Sequence, residues 1–197
     1  MLMSQKGQST TADYLPYDEL KRLFQGLHQD NLYHWEAYCK ISYCTAFRIS
    51  DVRTTHWKDI LGKTEMIKVE QKTQKIRLVK INQDISREIS QMYNIMGCPN
   101  PETSVICNPR TEEPYSKQYI NRTLKVFRVK YRLRIRHFST HTFRKSFARN
   151  MFEANGRSTE TLFLIQQILN HDSPQTTLAY MGYVQDDINK VYAKLCF

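Results

Sequence analysis

The sequence predicts a mainly α-helical domain with one small antiparallel β-sheet, an α+β fold. Over most of the chain, apolar residues lie three and four positions apart, which is the period of a helix with one buried face. Between residues 57 and 81 they alternate instead with polar residues over short segments, which predicts strands. The length of 197 residues suits one domain with a short appendage.

The helix boundaries follow from residues that favour helix ends. The first helix opens at Tyr17, directly after Pro16, because proline suits a helix start. Ser50 and Asp51 are predicted to cap a short helix, and Gly156 is predicted to follow the end of a later one. We expect the remaining helices at 32–45, 85–96, 117–130, 142–154, 159–169 and 186–195. The strands are expected around residue 60, at 66–69 and at 76–81.

The charge of the chain is strongly and unevenly basic. Lys and Arg number 29 against 19 acidic residues, which gives a net charge of +10. The stretch 114–152 holds eleven of these cations and no acid. Such a stretch is typical of a surface that binds a polyanion, and a solvated basic face is the alternative. The candidate DNA contacts are Arg128, Lys130, Arg132, Arg134, Arg136 and Lys145.

The cysteines indicate the cellular compartment, and the polar N-terminal residues indicate where the folded domain begins. The five cysteines are odd in number and form no CxxC pair, which indicates reduced thiols in a cytoplasm rather than a disulfide frame or a zinc site. No apolar run is long enough to span a bilayer. Residues 1–14 are polar, and we expect a disordered tail or an expression remnant there, followed by a folded domain over 15–197.

Five residues at defined spacings indicate chemistry on a phosphodiester. Arg144 follows His141 by three positions, so on a helix both side chains share one face. Tyr180 lies nine residues beyond His171, and Arg48 lies far upstream. The planar guanidinium of arginine binds two phosphate oxygens and stays charged. A tyrosine hydroxyl can attack the phosphorus once its proton is removed.

The segments around these residues resemble the tyrosine recombinase (phage integrase) family. Residues 45–51 are similar to its Thr-Gly-Leu-Arg-Ile-Ser-Glu box, with Ala46 in place of Gly and Asp51 in place of Glu. Residues 141–144 match its His-x-x-Arg helix start. Residues 169–171 resemble its Leu-Gly-His, with Asn170 in place of Gly, and asparagine tolerates a positive φ.

The resemblance implies a role for each site residue. Arg48 and Arg144 would clamp the phosphate, and His171 would contact a nonbridging oxygen. His141 would take part in proton transfer or orient the phosphate. Tyr180 would be the nucleophile, with Tyr183 as its competitor.

A lysine on the turn between two strands of the sheet completes the family's site as the general acid. Residues 69–73 resemble that turn, so we assign this role to Lys72, with Lys75 as the alternative. The resemblance also implies the DNA breaking-rejoining fold of the family's catalytic domain, and no cofactor.

The implied function is a site-specific DNA recombinase or integrase of a bacterial mobile element, which acts through a 3′-phosphotyrosyl intermediate. The alternatives are strand relaxation as in type IB topoisomerases and a DNA-binding regulator that has lost catalysis. The implied partners are double-stranded DNA and other protomers, as a tetramer on paired sites, with a monomer possible without DNA. The helix at 186–195 could dock on a neighbouring protomer or on its own body.

Most members of the family carry a further N-terminal domain that closes around DNA. The catalytic pattern here begins near residue 15, so that core-binding domain is expected to be absent from this sequence. An excised catalytic domain and a minimal natural recombinase are both consistent with the pattern.

Overall fold

The computed structural model describes residues 12–183 together with residues 190, 192 and 193. The predicted C-terminal helix at 186–195 therefore lies almost entirely outside the described residues. In chain order the described elements are α1 (Tyr17–Gln29), α2 (Tyr33–Thr45), α3 (Ile49–Arg53), β1 (Glu65–Val69), β2 (Ile76–Lys80), α4 (Gln83–Ile95), α5 (Lys117–Lys130), α6 (Thr140–Ala154), α7 (Thr159–Leu169) and α8 (Pro174–Met181).

The predicted class, mainly α with a small antiparallel sheet, is confirmed. Strands β1 and β2 form one antiparallel hairpin, in a register that runs from Glu65 opposite Lys80 to Val69 opposite Ile76. The apolar residue expected in an earlier strand, Ile60, is instead buried in the core directly after a short 3-10 turn. The sheet is thus a two-stranded ribbon, which is marginal in water unless it packs on other elements.

Helix α2 forms the centre of the main hydrophobic core. It packs against α1, α4 and α6, and most of its side chains are buried. Trp35 lies among aromatic rings of α5 and the loop before it, and the Tyr38 ring meets Phe143 of α6 edge to face. A helix buried on nearly all sides shows weak periodicity, which is why α2 is recognised by its aromatic content rather than by a single stripe.

Helix α3 begins differently from the prediction. Arg48 occupies its N-cap position without a side-chain cap, while Ser50 and Asp51 lie inside the helix. The Asp51 carboxylate is fully buried and accepts a hydrogen bond of 2.9 Å from the backbone N–H of Gln71. This residue therefore connects α3 to the hairpin instead of capping its own helix.

A second, smaller hydrophobic cluster holds α6, α7 and α8 together. Its buried members include Phe152, Ile165, Leu169 and Met181. Helix α8 was not predicted, although its start has a recognisable signal. Ser173 caps it by accepting from the Thr176 N–H, and Pro174 occupies its first position.

The disordered tail was predicted to end at residue 14, which is too late in the chain. Its last three residues, 12–14, are described and lie against the body of the protein, so the folded region starts before residue 15. The Asp13 carboxylate accepts hydrogen bonds from the backbone N–H groups of Arg136 and His137, at 2.8 and 2.9 Å. Ala12 is buried. Aspartate in this position satisfies backbone donors of a turn, which the polar composition alone did not indicate.

Within the described part of the chain, no helix combines the length and the apolar character needed to cross a bilayer. Four of the five cysteines lie in this part, and all four are free thiols.

Candidate active site

The six predicted catalytic residues converge on one open cleft of about 580 Å³. They come from five separate segments: the start of α3, the hairpin turn, the first turn of α6, the α7–α8 connection and α8. The cleft is lined by Arg48, Lys72, His141, Arg144, His171 and Tyr180, together with neighbouring residues. Asp172 is the only acidic residue among the described ones that line it, so the cleft is suited to an anion.

Arg144 is the most deeply buried cation of the cleft, with 5% of its surface exposed. Its guanidinium donates hydrogen bonds to the carbonyl oxygens of Ala46 and Leu169, at the ends of α2 and α7. Burial lowers the pKa of Arg144 to about 10, so the group stays protonated at neutral pH. Its remaining N–H groups can serve an anion in the cleft.

Two left-handed residues bring those carbonyl groups to Arg144. Ala46 ends α2 with a φ of 50°, and Asn170 ends α7 with a φ of 50°. Both stand where the family pattern has glycine. Asn170 was expected to tolerate a positive φ, and it adopts one. Its Oδ1 also accepts a hydrogen bond of 3.0 Å from Lys75. Ala46 adopts the same conformation without a polar side chain to support it.

Arg48 is held by a carboxylate that the sequence reasoning missed. Its Nη1 lies 2.7 Å from Oε2 of Glu70, and the Glu70 side chain is almost fully buried. Glu70 stands at the start of the turn between β1 and β2 and also lies 3.5 Å from Arg77. An acid at the end of an alternating strand was the available signal, but turn residues are usually exposed, so burial was not expected.

The structure separates the two lysine candidates. Lys72 lines the cleft, whereas Lys75 is not among the described lining residues and donates a hydrogen bond to Asn170, which is one of them. This position favours Lys72 over Lys75 as the acid, and its role remains a prediction.

Both histidines of the cleft are neutral at physiological pH. Burial and the nearby cations Lys117, Arg144 and Arg48 lower the pKa of His141. Burial, with Arg144 and Arg48, lowers the pKa of His171 to about 4. A neutral imidazole can accept a proton, which an imidazolium cannot.

His171 contacts a hydroxyl of α8. Nδ1 of His171 lies 3.1 Å from the Thr177 hydroxyl, which also lies 3.2 Å from the Ser173 carbonyl oxygen. The hydroxyl has one proton for these two acceptors, so both tautomers of the neutral imidazole fit the contact. The contact holds the ring against α8.

The Tyr180 hydroxyl is buried, and no described residue forms a hydrogen bond of ordinary geometry with it. Burial raises the pKa of Tyr180 to about 12, although the positive charges of Arg144 and Arg48 and a contact with the Arg144 guanidinium act in the opposite direction. A buried hydroxyl without a well-formed hydrogen bond is rare and marks a candidate functional group. The two arginines would stabilise a phenolate here.

The competitor, Tyr183, occupies a different environment. It is buried outside the lining of the cleft, and its hydroxyl donates a hydrogen bond of 2.9 Å to Glu153 of α6. The guanidinium groups of Arg149 and Arg157 lie over its ring, at 4.6 and 5.3 Å. These contacts assign Tyr183 a structural role in holding the end of α8 on α6.

The six residues proposed for DNA contact lie outside the lining of the cleft. None of the six candidates, from Arg128 to Lys145, is among the described residues that line it. Arg128 donates to the carbonyl oxygens of Ile135 and Arg136 at 3.0 Å, and Lys130 pairs with Asp30 of the α1–α2 connection at 2.7 Å. The residues from Arg128 to Arg136 thus form the end of α5 and the turn that follows it. Contact with DNA at these residues remains a prediction.

Two further cations line the cleft that were not predicted as site residues. Lys117 is the first residue of α5, and Arg53 ends α3 while its Nε donates to the Tyr115 carbonyl oxygen at 2.6 Å. Lys117 belongs to the basic stretch noted in the sequence, but its neighbourhood there gave no sign of the cleft. The described residues contain no group of three or more His, Cys, Asp or Glu side chains placed to hold a metal ion.

The fold matches solved structures of tyrosine recombinases. The crystal structure of XerA recombinase aligns with a TM-score of 0.69 at 19% identity, over 98% of this chain and 68% of that one. XerH, in a post-cleavage complex with palindromic difH substrate, aligns with a TM-score of 0.69 at 17% identity, over 94% of this chain and 54% of that one. The catalytic core of lambda integrase aligns with a TM-score of 0.59 at 16% identity, over 81% and 91%. The predicted catalytic-domain fold is confirmed.

Sequence comparison identifies relatives and the family. The probable integrase/recombinase YoeC of Bacillus subtilis (strain 168) is 29% identical over 148 residues, which cover 75% of this chain and 77% of YoeC. Tyrosine recombinase XerC of Histophilus somni (strain 2336) is 22% identical over 159 residues, which cover 81% of this chain and 52% of XerC. The aligned region thus spans about half the length of XerC and of XerH. The model of the phage integrase family matches residues 13–186, and the chain belongs to that family.

Proposed function

We propose that this chain is a site-specific DNA recombinase, which cuts and rejoins DNA strands through a 3′-phosphotyrosyl intermediate. The observation that supports this most strongly is the placement of the Tyr180 hydroxyl. It is buried without a well-formed hydrogen bond, in a cleft that also holds Arg48, Arg144 and two neutral histidines. This set can bind a phosphodiester and supply a nucleophile in one place.

In the proposed reaction, Arg48 and Arg144 bind the nonbridging oxygens, where negative charge grows in the transition state. The Tyr180 oxygen attacks the phosphorus, and its proton passes to the neutral imidazole of His141. The bond between phosphorus and the 5′ oxygen breaks, and Lys72 protonates the leaving oxygen. Rejoining is the reverse, with a 5′ hydroxyl as the nucleophile.

His171 is proposed to contact a nonbridging oxygen. The imidazole is neutral in the free protein, because its pKa is lowered to about 4. A phosphate in the cleft would favour its protonation, because an adjacent negative charge raises the pKa of an imidazole. We therefore expect substrate binding to favour proton uptake at His171.

The proposed partners are double-stranded DNA and further copies of the same chain. XerH is described as bound to difH substrate, and lambda integrase is described as a dimer on a COC′ core site. For this chain we propose double-stranded DNA as the substrate and assembly on paired sites. The bacterial sources of YoeC and XerC support a bacterial mobile element as the origin, and the free thiols support a cytoplasmic location.

The test is covalent capture of DNA without metal. The protein is incubated with a pool of nicked duplexes of randomised sequence in the presence of a chelator, and the products are denatured before separation. We expect a protein–DNA adduct with the 3′ end of the cut strand, formed by the wild type and by Tyr183→Phe but not by Tyr180→Phe. Absence of any wild-type adduct would refute the proposed function. Sequencing of the captured DNA then yields a substrate, and strand exchange between two such sites separates recombination from strand relaxation.

A further inference from the structure

The turn that presents Lys72 to the cleft is held in place mainly by polar contacts. The hairpin turn, defined here as residues 70–75, connects β1 and β2, whose outer face is exposed. That face consists of Ile67, Val69, Ile76 and Leu78. On the inner face, Met66 is buried in the core. A two-stranded ribbon with one open face is marginal by itself, so polar contacts at its end determine where the turn lies.

Glu70 makes those contacts from a buried position, with 2% of its surface exposed. Its carboxylate lies 2.7 Å from Arg48 Nη1, 3.5 Å from Arg77 Nη1 and 2.8 Å from the Thr73 hydroxyl. Its backbone closes the turn, because the Glu70 N–H donates to the Lys75 carbonyl oxygen and the Glu70 carbonyl oxygen accepts from Gln74. One residue thus joins the turn to a phosphate-clamp arginine.

A second set of contacts supports the same connection. Asp51 accepts from the Gln71 N–H, and Arg77 donates to the Thr45 carbonyl oxygen at 2.5 Å. The Arg77 guanidinium also lies 4.9 Å from the centre of the Phe47 ring. The hairpin turn is therefore attached to residues 45–51, the segment that contains Arg48, by two acids and one cation.

The ionisation of Glu70 suits this role. Burial acts to raise its pKa, but Thr73, Arg48 and Arg77 together lower the pKa below its usual value, so the group is a carboxylate at neutral pH. A buried carboxylate between two guanidinium groups holds them by charge as well as by hydrogen bonds.

We infer that Glu70 is a positioning residue, which holds the hairpin turn against Arg48 so that Lys72 reaches the leaving 5′ oxygen. This inference rests on the proposed function, since it requires Lys72 to act as the acid. Lys72 itself is exposed and lines the cleft, and only Gln71 separates it from Glu70, so the contacts of Glu70 act on the backbone that carries Lys72 rather than on its side chain.

A substrate with sulfur in place of the bridging 5′ oxygen tests the inference. A thiolate leaves without protonation, so cleavage of this substrate does not need a general acid. Single-turnover cleavage rates are measured on the oxygen and the sulfur versions of the captured DNA sequence. The variants are Glu70→Gln, which keeps the size of the side chain and removes its charge, Lys72→Ala, and Glu65→Gln. Glu65 is an exposed acid on the same hairpin and serves as the matched control.

We expect Glu70→Gln to slow cleavage of the oxygen substrate about 10-fold to 100-fold, within the range of general-acid effects. Glu70→Gln and Lys72→Ala should both cleave the sulfur substrate at a rate close to that of the wild type. Glu65→Gln should match the wild type on the oxygen substrate and on the sulfur substrate. Equal losses on both substrates would show that Glu70 acts through Arg48 alone, and no loss would show that it positions nothing; either result overturns the inference. A folding defect of Glu70→Gln would slow cleavage of both substrates equally, and thermal melting of this variant identifies such a defect. If the wild type forms no adduct with either substrate, the proposed function is wrong, and the inference falls with it.

Discussion

The rings of His171 and Tyr180 meet edge to face, with their centroids 5.1 Å apart and their planes at 75°. His171 precedes α8 and Tyr180 lies near its end, so the helix itself sets this distance. The contact places the phenol beside the imidazole that we assign to a nonbridging oxygen. The proposed nucleophile and the proposed phosphate-binding residue are therefore positioned as one unit.

Replacement of Tyr180 by Phe should abolish the DNA adduct and also stabilise the protein. The hydroxyl that is removed is buried and contacts Arg144 without a well-formed hydrogen bond. A buried hydroxyl with no hydrogen bond at all costs about 1–3 kcal/mol. We expect the free energy of unfolding, measured in urea, to rise by part of that amount. Tyr183→Phe is the matched variant: it loses a hydrogen bond to Glu153, so it should lose about 1 kcal/mol and keep the adduct. Adduct formation by Tyr180→Phe, with none by Tyr183→Phe, would assign the nucleophile to Tyr183.

Replacement of Arg48 or Arg144 by Ala should slow adduct formation by about 100-fold or more, since one lost oxyanion donor costs about 3 kcal/mol. The two variants should differ in stability. Arg144→Ala leaves the carbonyl groups of Ala46 and Leu169 without their donor, at a cost of about 1–3 kcal/mol each. Single-turnover rates and urea unfolding measure the two effects. Arg110→Ala, at an exposed position, is the control, and wild-type cleavage by either clamp variant would remove that arginine from the site.

Gly182 ends α8 two residues after Tyr180, the proposed nucleophile, with a φ of 89°. A Cβ at this position would lie 3.4 Å from Nη1 of Arg149, which donates to the Met181 carbonyl oxygen at 3.1 Å. We expect Gly182→Ala to cost about 1–2 kcal/mol through backbone strain and to slow cleavage by shifting the end of α8. Gly97→Ala is the control, because Gly97 has a φ of 81° with no atom near the added methyl group. It should show a similar loss of stability and unchanged cleavage; equal cleavage by both variants would contradict the role of Gly182.

Stability should fall as the solution is acidified through the histidine range. Burial lowers the pKa of His34 to about 4, and His171 is lowered to about the same value. Both groups have an ordinary pKa of 6.5, so between about pH 6.5 and pH 4 the unfolded chain binds more protons than the folded one. The stabilising contribution is complete above pH 6.5 and is lost as pH falls towards 4. Urea midpoints between pH 7.5 and pH 4.5 should drop less for His34→Gln and His171→Gln than for wild type, and parallel curves would contradict these pKa values.

The sequence predicted the elements well wherever local signals were strong. Apolar spacing and capping residues located most helices, and alternation located the hairpin. Helix α8 was missed because its eight residues have no clear apolar stripe, although Ser173 and Pro174 marked its start. The helix predicted at 117–130 coincides with α5, and the basic run after it, which ends at Arg136, continues as a turn.

The site was predictable as a set of residues but not as a network. The spacings of His141, Arg144, His171 and Tyr180 identified the cleft's ligands, and the structure brings them together. The burial of Glu70 and its pairing with Arg48 depend on how the hairpin packs on residues 45–51, which lie far from it in the sequence. Such long-range pairings leave no periodic signal in a single sequence.

Arg144 stabilises the fold as well as lining the cleft. Its hydrogen bonds to the carbonyl oxygens of Ala46 and Leu169 connect the ends of α2 and α7 to α6. A molecule in which any of these three helices is out of place also lacks a properly aimed phosphate clamp. Partly folded or damaged copies of the protein would therefore be chemically silent. For a protein proposed to break DNA, that coupling acts as a safeguard: the capacity to cut exists only in molecules that have finished folding.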